Sequence, residues 1–309
     1  MRLLAHVAVA AMLLASVACK KSSTAPAKSS SEAVRVEQLI STDTVGVFRQ
    51  PPDMYFVMSY VDQLMAGLGD SGAAPCWTQL TKKVKTGYQM SLPASSYFIV
   101  EIDGPMPTPA EVTTCMKTAT HGDMVGKQDG ALYTLTTPMG DVYAAWRAPF
   151  IVIGNKQQVE AALKTPTAET AARWQALIAP VASTPTYMVR IDHMVDDLVG
   201  ENAASYTFTM DKLEKAPKPF FAGRFIIHYT TPAAAESGER LIRDWSGRGE
   251  FPRRVPDYKI MQHFDALAAG IQKTKITRTG TTLEIAFDTD MFGGAEAMAA
   301  ALQKLGEGQ

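Results

Sequence analysis

Phe98-Ile99-Val100-Glu101-Ile102 followed by Thr108-Pro109-Ala110-Glu111, and Phe225-Ile226-Ile227-His228-Tyr229 followed by Thr231-Pro232-Ala233-Ala234, are the stretches whose reading decides the fold. In each, a short run rich in β-branched and aromatic residues breaks off shortly before a Thr-Pro pair. A run of that length and composition suits a strand. Proline in the first helical position opens a helix. The same order occurs twice along one chain, which is the sequence mark of an internal duplication.

Reading outward, the correspondence widens. Tyr55-Phe56-Val57-Met58 leading to Val61-Asp62-Gln63-Leu64-Met65 recurs as Tyr187-Met188-Val189-Arg190 leading to Val195-Asp196-Asp197-Leu198-Val199. Each half closes on a strand feeding a small helix: Phe150-Ile151-Val152-Ile153-Gly154 before residues 156–163, and Leu283-Glu284-Ile285-Ala286-Phe287 before residues 295–302. Residues 131–136, 142–146 and 150–153 read as a meander turning at Pro138-Met139-Gly140, and Lys275-Ile276-Thr277-Arg278 forms a hairpin with residues 283–287 across Thr279-Gly280-Thr281. Strands that arrive in consecutive runs, with helices between the blocks, favour antiparallel sheets over a doubly wound parallel one. The expected fold class is α+β, with two related domains, each an antiparallel sheet with helices packed on one face.

The arithmetic of the chain agrees with this. Its 309 residues allow two cores, 46% of them are apolar and 20% charged, and 30 Lys+Arg stand against 31 Asp+Glu. A net charge near zero supplies no pervasive field for nucleic acid, so no nucleic-acid partner is expected. Beyond the N-terminus no apolar run approaches the roughly 20 residues needed to cross a bilayer, so a soluble body is expected.

The N-terminus carries an address. Met1-Arg2 is a short positive start, residues 3–17 are apolar apart from His6 and Ser16, and Ser16-Val17-Ala18 places small residues before a cleavage point. This is the pattern of an export signal. Ala15-Ser16-Val17-Ala18-Cys19 resembles the lipobox of bacterial lipoproteins, with Ser16 where leucine is usual. The resemblance implies that Cys19 is lipidated, with palmitate-type acyl chains, and becomes the mature N-terminus. The alternative is ordinary cleavage after Ala18, leaving a free thiol. The Ser/Lys/Ala/Pro-rich tract behind Cys19 cannot bury enough apolar surface to fold and reads as a leash. Acyl chains contribute about 0.8 kcal/mol per buried CH₂, so a multiply acylated cysteine holds a protein to a membrane without a spanning helix. The expected organisation is a signal peptide at 1–18, a lipid-anchored tether at 19–34, a first α+β domain at 35–165, a connector at 166–184 and a second domain at 185–309.

The other two cysteines, Cys76 and Cys115, make an even pair in an oxidising compartment, where a disulfide is the expectation and two separate buried thiols the alternative. No Cys-x-x-Cys occurs, which leaves redox and zinc-knuckle chemistry without support.

Catalytic patterns fail on their missing parts. Gly69-Asp70-Ser71-Gly72 is similar to the nucleophile strings of trypsin-like proteases and of Gly-Asp-Ser esterases. No His lies between Cys19 and Ser71, and no Asp has a His three residues later, so Ser71 lacks a base and reads as part of a turn. His193 beside Asp192, Asp196 and Asp197 suits metal ligation chemically but reads as a solvated helix face, and His228 sits in an apolar strand. Asp288-Thr289-Asp290-Met291-Phe292-Gly293 resembles half an EF-hand loop, with Phe292 where an oxygen ligand is needed. No cofactor and no metal are expected.

The densest feature is Arg240, Arg243, Arg248, Arg253 and Arg254, interleaved with Trp245 and Phe251. Guanidinium forks match carboxylate and phosphate geometry, and an indole can stack on them, so this stretch is the candidate anion-binding surface. Glu239, Asp244 and Glu250 partly neutralise it. The expectation is a non-enzymatic, lipid-tethered envelope protein, on the outer membrane rather than the inner, that binds or scaffolds an envelope protein, polymer or lipid. A carrier of a lipid or other hydrophobic ligand is the alternative, motivated by 16 Met and the aromatic strands. An esterase using Ser71 comes last. The chain is loosely similar to two-repeat bacterial lipoproteins, a likeness that transfers no catalytic residue.

Overall fold

The computed structural model describes residues 34–51, 82–120, 125–137, 140–191, 199–215, 218–248 and 272–288. Cys19, the tether, the Tyr55 stretch, the Val195 stretch apart from Val199, Ser71 and the closing helix expected at 295–302 lie outside the described residues. The chain divides into two compact units, Met1–Ala179 and Pro180–Gln309.

The first unit opens with a short 3-10 turn at Val36–Leu39. Seven strands follow: β1 (Gly46–Gln50), β2 (Val84–Ser91), β3 (Ser96–Ile102), β4 (Val125–Asp129), β5 (Leu132–Thr137), β6 (Gly140–Arg147) and β7 (Phe150–Gly154). Its helices are α1 (Pro109–Thr120), α2 (Lys156–Leu163) and α3 (Ala168–Ile178). The strands lie in the order β1-β2-β3-β7-β6-β5-β4, every neighbour antiparallel. The second unit contains β8 (Thr186–Arg190), β9 (Ala203–Lys215), β10 (Lys218–Tyr229), helix α4 (Pro232–Gly247), β11 (Lys275–Thr279) and β12 (Thr282–Asp288). Its order is β8-β9-β10-β12-β11, again antiparallel throughout. The architecture is α+β with antiparallel sheet and packed helices.

The Thr-Pro pairs do open helices. The Thr108 hydroxyl accepts from Glu111 N–H at 3.2 Å, while the Thr108 N–H donates to the Glu111 carboxylate at 2.8 Å, a reciprocal cap on α1. On α4 the Thr231 hydroxyl accepts from Ala234 N–H at 3.1 Å. Asn155 and Gln158 build the same box on α2, and Thr167 caps α3.

In the first unit the helices occupy both sides of the sheet, where one side was expected. Register places Tyr133, Ala144, Ile153 and Phe98 on one face. Helix α1 covers that side: Thr113 and Tyr133 share a hydrogen bond, and the Trp146 indole donates to the Pro107 carbonyl at 2.6 Å. Tyr97 and Gly154 point the other way, toward α2, whose Gln158 lies against Gly154. The reason is legible in β7, where Phe150, Ile151, Val152 and Ile153 are all buried. Four consecutive apolar residues give the strand two apolar faces, and each must be covered. The stretch expected as a connector carries α3, which buries Trp174 and Ile178, one turn apart, and packs beside the 3-10 turn.

Tyr97 ties the segment ahead of β1 to the sheet. Its side chain is completely buried, and its hydroxyl donates to the Leu39 carbonyl at 2.9 Å while accepting from the Ser41 N–H at 2.9 Å. Burial raises the phenol pKa, so the group stays neutral and keeps both roles. Around it Val36, Leu39 and Ile40 are buried. Tyr97→Phe removes a donor and an acceptor from buried backbone groups, and is expected to cost about 1–3 kcal/mol. Urea unfolding measures this as a lowered midpoint at constant slope; an unchanged midpoint would show that the hydroxyl holds nothing.

Candidate functional site

The strands of the second unit turn one face to α4, and that face is built by β-strand alternation. Met188, Phe208, Phe225, Ile285 and Ile276 form one row across β8, β9, β10, β12 and β11. The next row toward one end of the strands is Thr186, Met210, Gly223 and Phe287. Toward the other end Tyr206, Ile227 and Leu283 follow, and there α4 seals the sheet with Ala235, Ile242 and Trp245. Tyr229 anchors that end: its hydroxyl donates to the Val199 carbonyl at 2.6 Å, and burial pushes its pKa up to about 12.

Beyond that sealed end the apolar side chains stay only partly covered. Met188, Phe208, Met210, Phe225 and Phe287 are each of intermediate exposure. Phe208 and Phe287 stack at 5.8 Å with an interplanar angle of 21°, and Phe225 tilts against Tyr206 at 5.5 Å. The flat arrangement depends on Gly223, because a Cβ at that position would overlap the Phe287 ring, which lies across β10. The result is an aromatic and thioether floor at one end of the sheet. Thr186, fully buried in the same row, has a hydroxyl with no hydrogen-bond partner among the described residues. A surface of this chemistry can hold apolar matter by contact. It contains no nucleophile with a base.

The arginines lie elsewhere, and the three that are described face carboxylates of their own helix. Arg240 pairs with Glu236 at 3.6 Å, Arg243 with Glu239 at 2.8 Å and Arg248 with Asp244 at 2.6 Å, all one helical turn apart. Arg243 also donates to the Ile276 carbonyl at 2.9 Å. Glu239 takes a second cation, Arg278 of β11, at 2.7 Å, so the cluster fastens α4 to the edge of the sheet. The hydrogen bond from Arg278, then that from Arg243, holds the Glu239 carboxyl below its ordinary pKa. Trp245, expected among the guanidinium groups, is 9% exposed and belongs to the core under α4. Arg253 and Arg254 lie outside the described residues.

Cys115 is buried on α1 and disulfide-bonded. Cys76 lies outside the described residues, as do Cys19, Ser71, His121, His193 and His263. His228 is exposed on β10, within 3.3 Å of the Thr282 hydroxyl, and burial of part of its ring lowers its pKa. Among the described residues no three His, Cys, Asp or Glu side chains converge as a metal set, and no helix is long and apolar enough to cross a membrane.

No protein-family model and no curated protein matches this chain. Among solved structures, crystal form III of TP0453 is similar with a TM-score of 0.48 and 9% identity over 88% of this chain and 99% of that one. Crystal form I of TP0453 gives a TM-score of 0.45 and 9% identity over 89% and 98%. A likeness this distant says nothing about what either chain binds.

Two outcomes are expected. Gly223→Ala pushes Phe287 off β10 and should cost about 1–3 kcal/mol in urea unfolding, as overpacking does; a neutral result would mean the ring is not held there. Glu239→Gln should cost about 0.2–1 kcal/mol near neutral pH, the range for exposed pairs. Because the folded-state pKa is depressed, this contribution is present above the ordinary carboxylate range and disappears as pH falls through the lowered value. Unfolding curves of both proteins at neutral and strongly acidic pH should therefore converge in acid, and a gap that persists there would remove the ionic account.

Proposed function

We propose that this chain is an exported binding protein, held at an envelope membrane through lipidated Cys19, that keeps an acyl chain or similar apolar ligand against the aromatic floor of its second unit without catalysing a reaction. The observation that carries this reading is the stacked pair Phe208 and Phe287, with Phe225, Met188 and Met210 left partly exposed beside it. Unbranched thioethers and flat rings adapt to ligands of varied shape. The magnitudes select the ligand. Micromolar binding is about 8 kcal/mol; with a cost of association on the order of 4 kcal/mol, it requires removing roughly 500 Å² of apolar surface, ligand and protein together, from water. A long acyl chain meets that threshold and a small apolar molecule does not.

The export signal and the lipobox-like string support a membrane address, and the leash behind Cys19 gives the body reach along that surface. Cys76 is the proposed disulfide partner of Cys115, a pairing suited to an oxidising compartment.

The two units are further proposed to be related copies. In strand order, β1-β2-β3-β7-β6 corresponds to β8-β9-β10-β12-β11, with a helix opened by Thr-Pro after the third strand of each and β4-β5 as an added hairpin in the first. In that correspondence β8, which contains Tyr187, is the counterpart of β1 rather than of the Tyr55 stretch.

The test is displacement of a fluorescent fatty acid by palmitate from the mature protein. Micromolar binding is expected, weakened at least tenfold by Phe208→Asp in protein whose circular dichroism is unchanged, and absence of binding would end the reading. In cells, Cys19→Ser should move the protein from the membrane fraction to the soluble one.

A further inference from the structure

In the second unit, the face of the strands turned away from α4 carries a cavity of about 280 Å³, lined by both cations and carboxylates. Register accounts for its shape and its charge together. Thr209 of β9 stands opposite Arg224 of β10, Arg224 opposite Ala286 of β12, and Ala286 opposite Lys275 of β11. One row across the sheet therefore holds two cations with an alanine between them. The adjacent row on the same face runs Asp211, Ala222, Asp288, two carboxylates with an alanine between them. The alanines end at Cβ while their neighbours are long, and that difference in reach makes the depression. Two residues along a strand span about 6.7 Å, which sets the distance between the cationic row and the acidic one.

Three of these charges are unspent. Among the described residues Arg224, Lys275 and Asp211 make no ion pair, in contrast to Arg240, Arg243, Arg248 and Arg278, each of which does. Thr209, 1% exposed, adds a hydroxyl-bearing side chain to the wall.

We infer that this cavity binds a small zwitterion of the phosphoethanolamine type, with its anionic oxygens on Arg224 and Lys275 and its ammonium group on Asp211. The guanidinium fork takes two anionic oxygens at once, and Lys275 adds a point charge. The ammonium donates to the Asp211 carboxylate. Sign is the selecting feature: a ligand that is only anionic meets the acidic row, one that is only cationic meets Arg224 and Lys275, and a zwitterion satisfies both. Volume sets the size, since about 280 Å³ lies at the foot of the 300–1,000 Å³ range of ligand pockets and has no room for a nucleotide. The chemistry is shared by free phosphoethanolamine and by a phosphatidylethanolamine headgroup. This site is independent of the proposed apolar ligand, because the two lie on opposite faces of the sheet.

Calorimetric titration of the unlipidated Cys19→Ser protein with O-phosphoethanolamine tests it, alongside inorganic phosphate, ethanolamine, and phosphatidylcholine vesicles with or without phosphatidylethanolamine. Phosphoethanolamine or the phosphatidylethanolamine-containing vesicles should bind at least tenfold more tightly than phosphate, ethanolamine or vesicles of phosphatidylcholine alone. Binding only to the vesicles identifies a headgroup as the source, and binding to the soluble molecule identifies the free metabolite. Arg224→Gln and Asp211→Asn should each weaken it at least tenfold. Ala286→Leu, which fills the depression and keeps every charge, should abolish it, with circular dichroism confirming the fold in all three. Phosphate binding as well as phosphoethanolamine would overturn the inference, as would binding indifferent to Arg224→Gln or to Ala286→Leu, or no binding of either probe. Phe208→Asp should leave this titration unchanged, so the failure of one ligand reading is distinct from the failure of the other.

Discussion

Strand β10 must serve two environments at once, and the second unit is organised by how it does so. Successive side chains of a strand point to opposite faces. Gly223, Phe225 and Ile227 face the helix side, while Ala222, Arg224 and His228 face away. The pleat therefore keeps the aromatic residues and the charged residues apart by the thickness of one backbone, with no insertion or loop required. A slip of one residue in the pairing of β10 would exchange the two sets. Such a slip would put Arg224 under α4 and Phe225 among the carboxylates, and each misplacement is costly.

Much of this was legible in sequence where local chemistry is strong. Thr108-Pro109 and Thr231-Pro232 announced two helices because a cap is a short-range device, independent of tertiary context. The meander through β5, β6 and β7 was equally open, since its turn residues and its runs lie close together. What escaped were β1, β2, β4 and β9, and they escaped for different reasons. Val125-Gly126-Lys127-Gln128-Asp129 carries almost no apolar signal, since β4 is an exposed edge whose strand character comes from pairing with β5. In β9 the alternation of Tyr206, Phe208 and Met210 with Ser205, Thr207 and Thr209 is a clean period of two, and it was the signal that could have located the aromatic floor. The partnership of Phe208 with Phe287 was not open to any local reading. It joins residues far apart in sequence through a glycine on a third strand.

The arginine stretch illustrates the opposite difficulty. Composition showed a dense cationic patch, and only helical geometry showed how each described guanidinium is answered one turn away. Trp245 read as a surface ring because its neighbours in sequence are charged, yet the three-and-four spacing of Ala235, Gly238, Ile242 and Trp245 belongs to the buried stripe of α4. Charge density along a chain and charge availability on a surface are separate quantities: each of the described helix arginines is paired, whereas Arg224 of β10 and Lys275 of β11 make no ion pair among the described residues.

The Tyr97 hydroxyl has a mechanical consequence. It holds the backbone at Leu39 and Ser41, ahead of β1. Tension arriving along the chain from its N-terminal side meets the buried turn at Val36–Leu39 first and reaches β1 only after that turn has been stripped from the sheet. The turn thus acts as a strain relief, a sacrificial link that yields before the ladder between β1 and β2 bears any load.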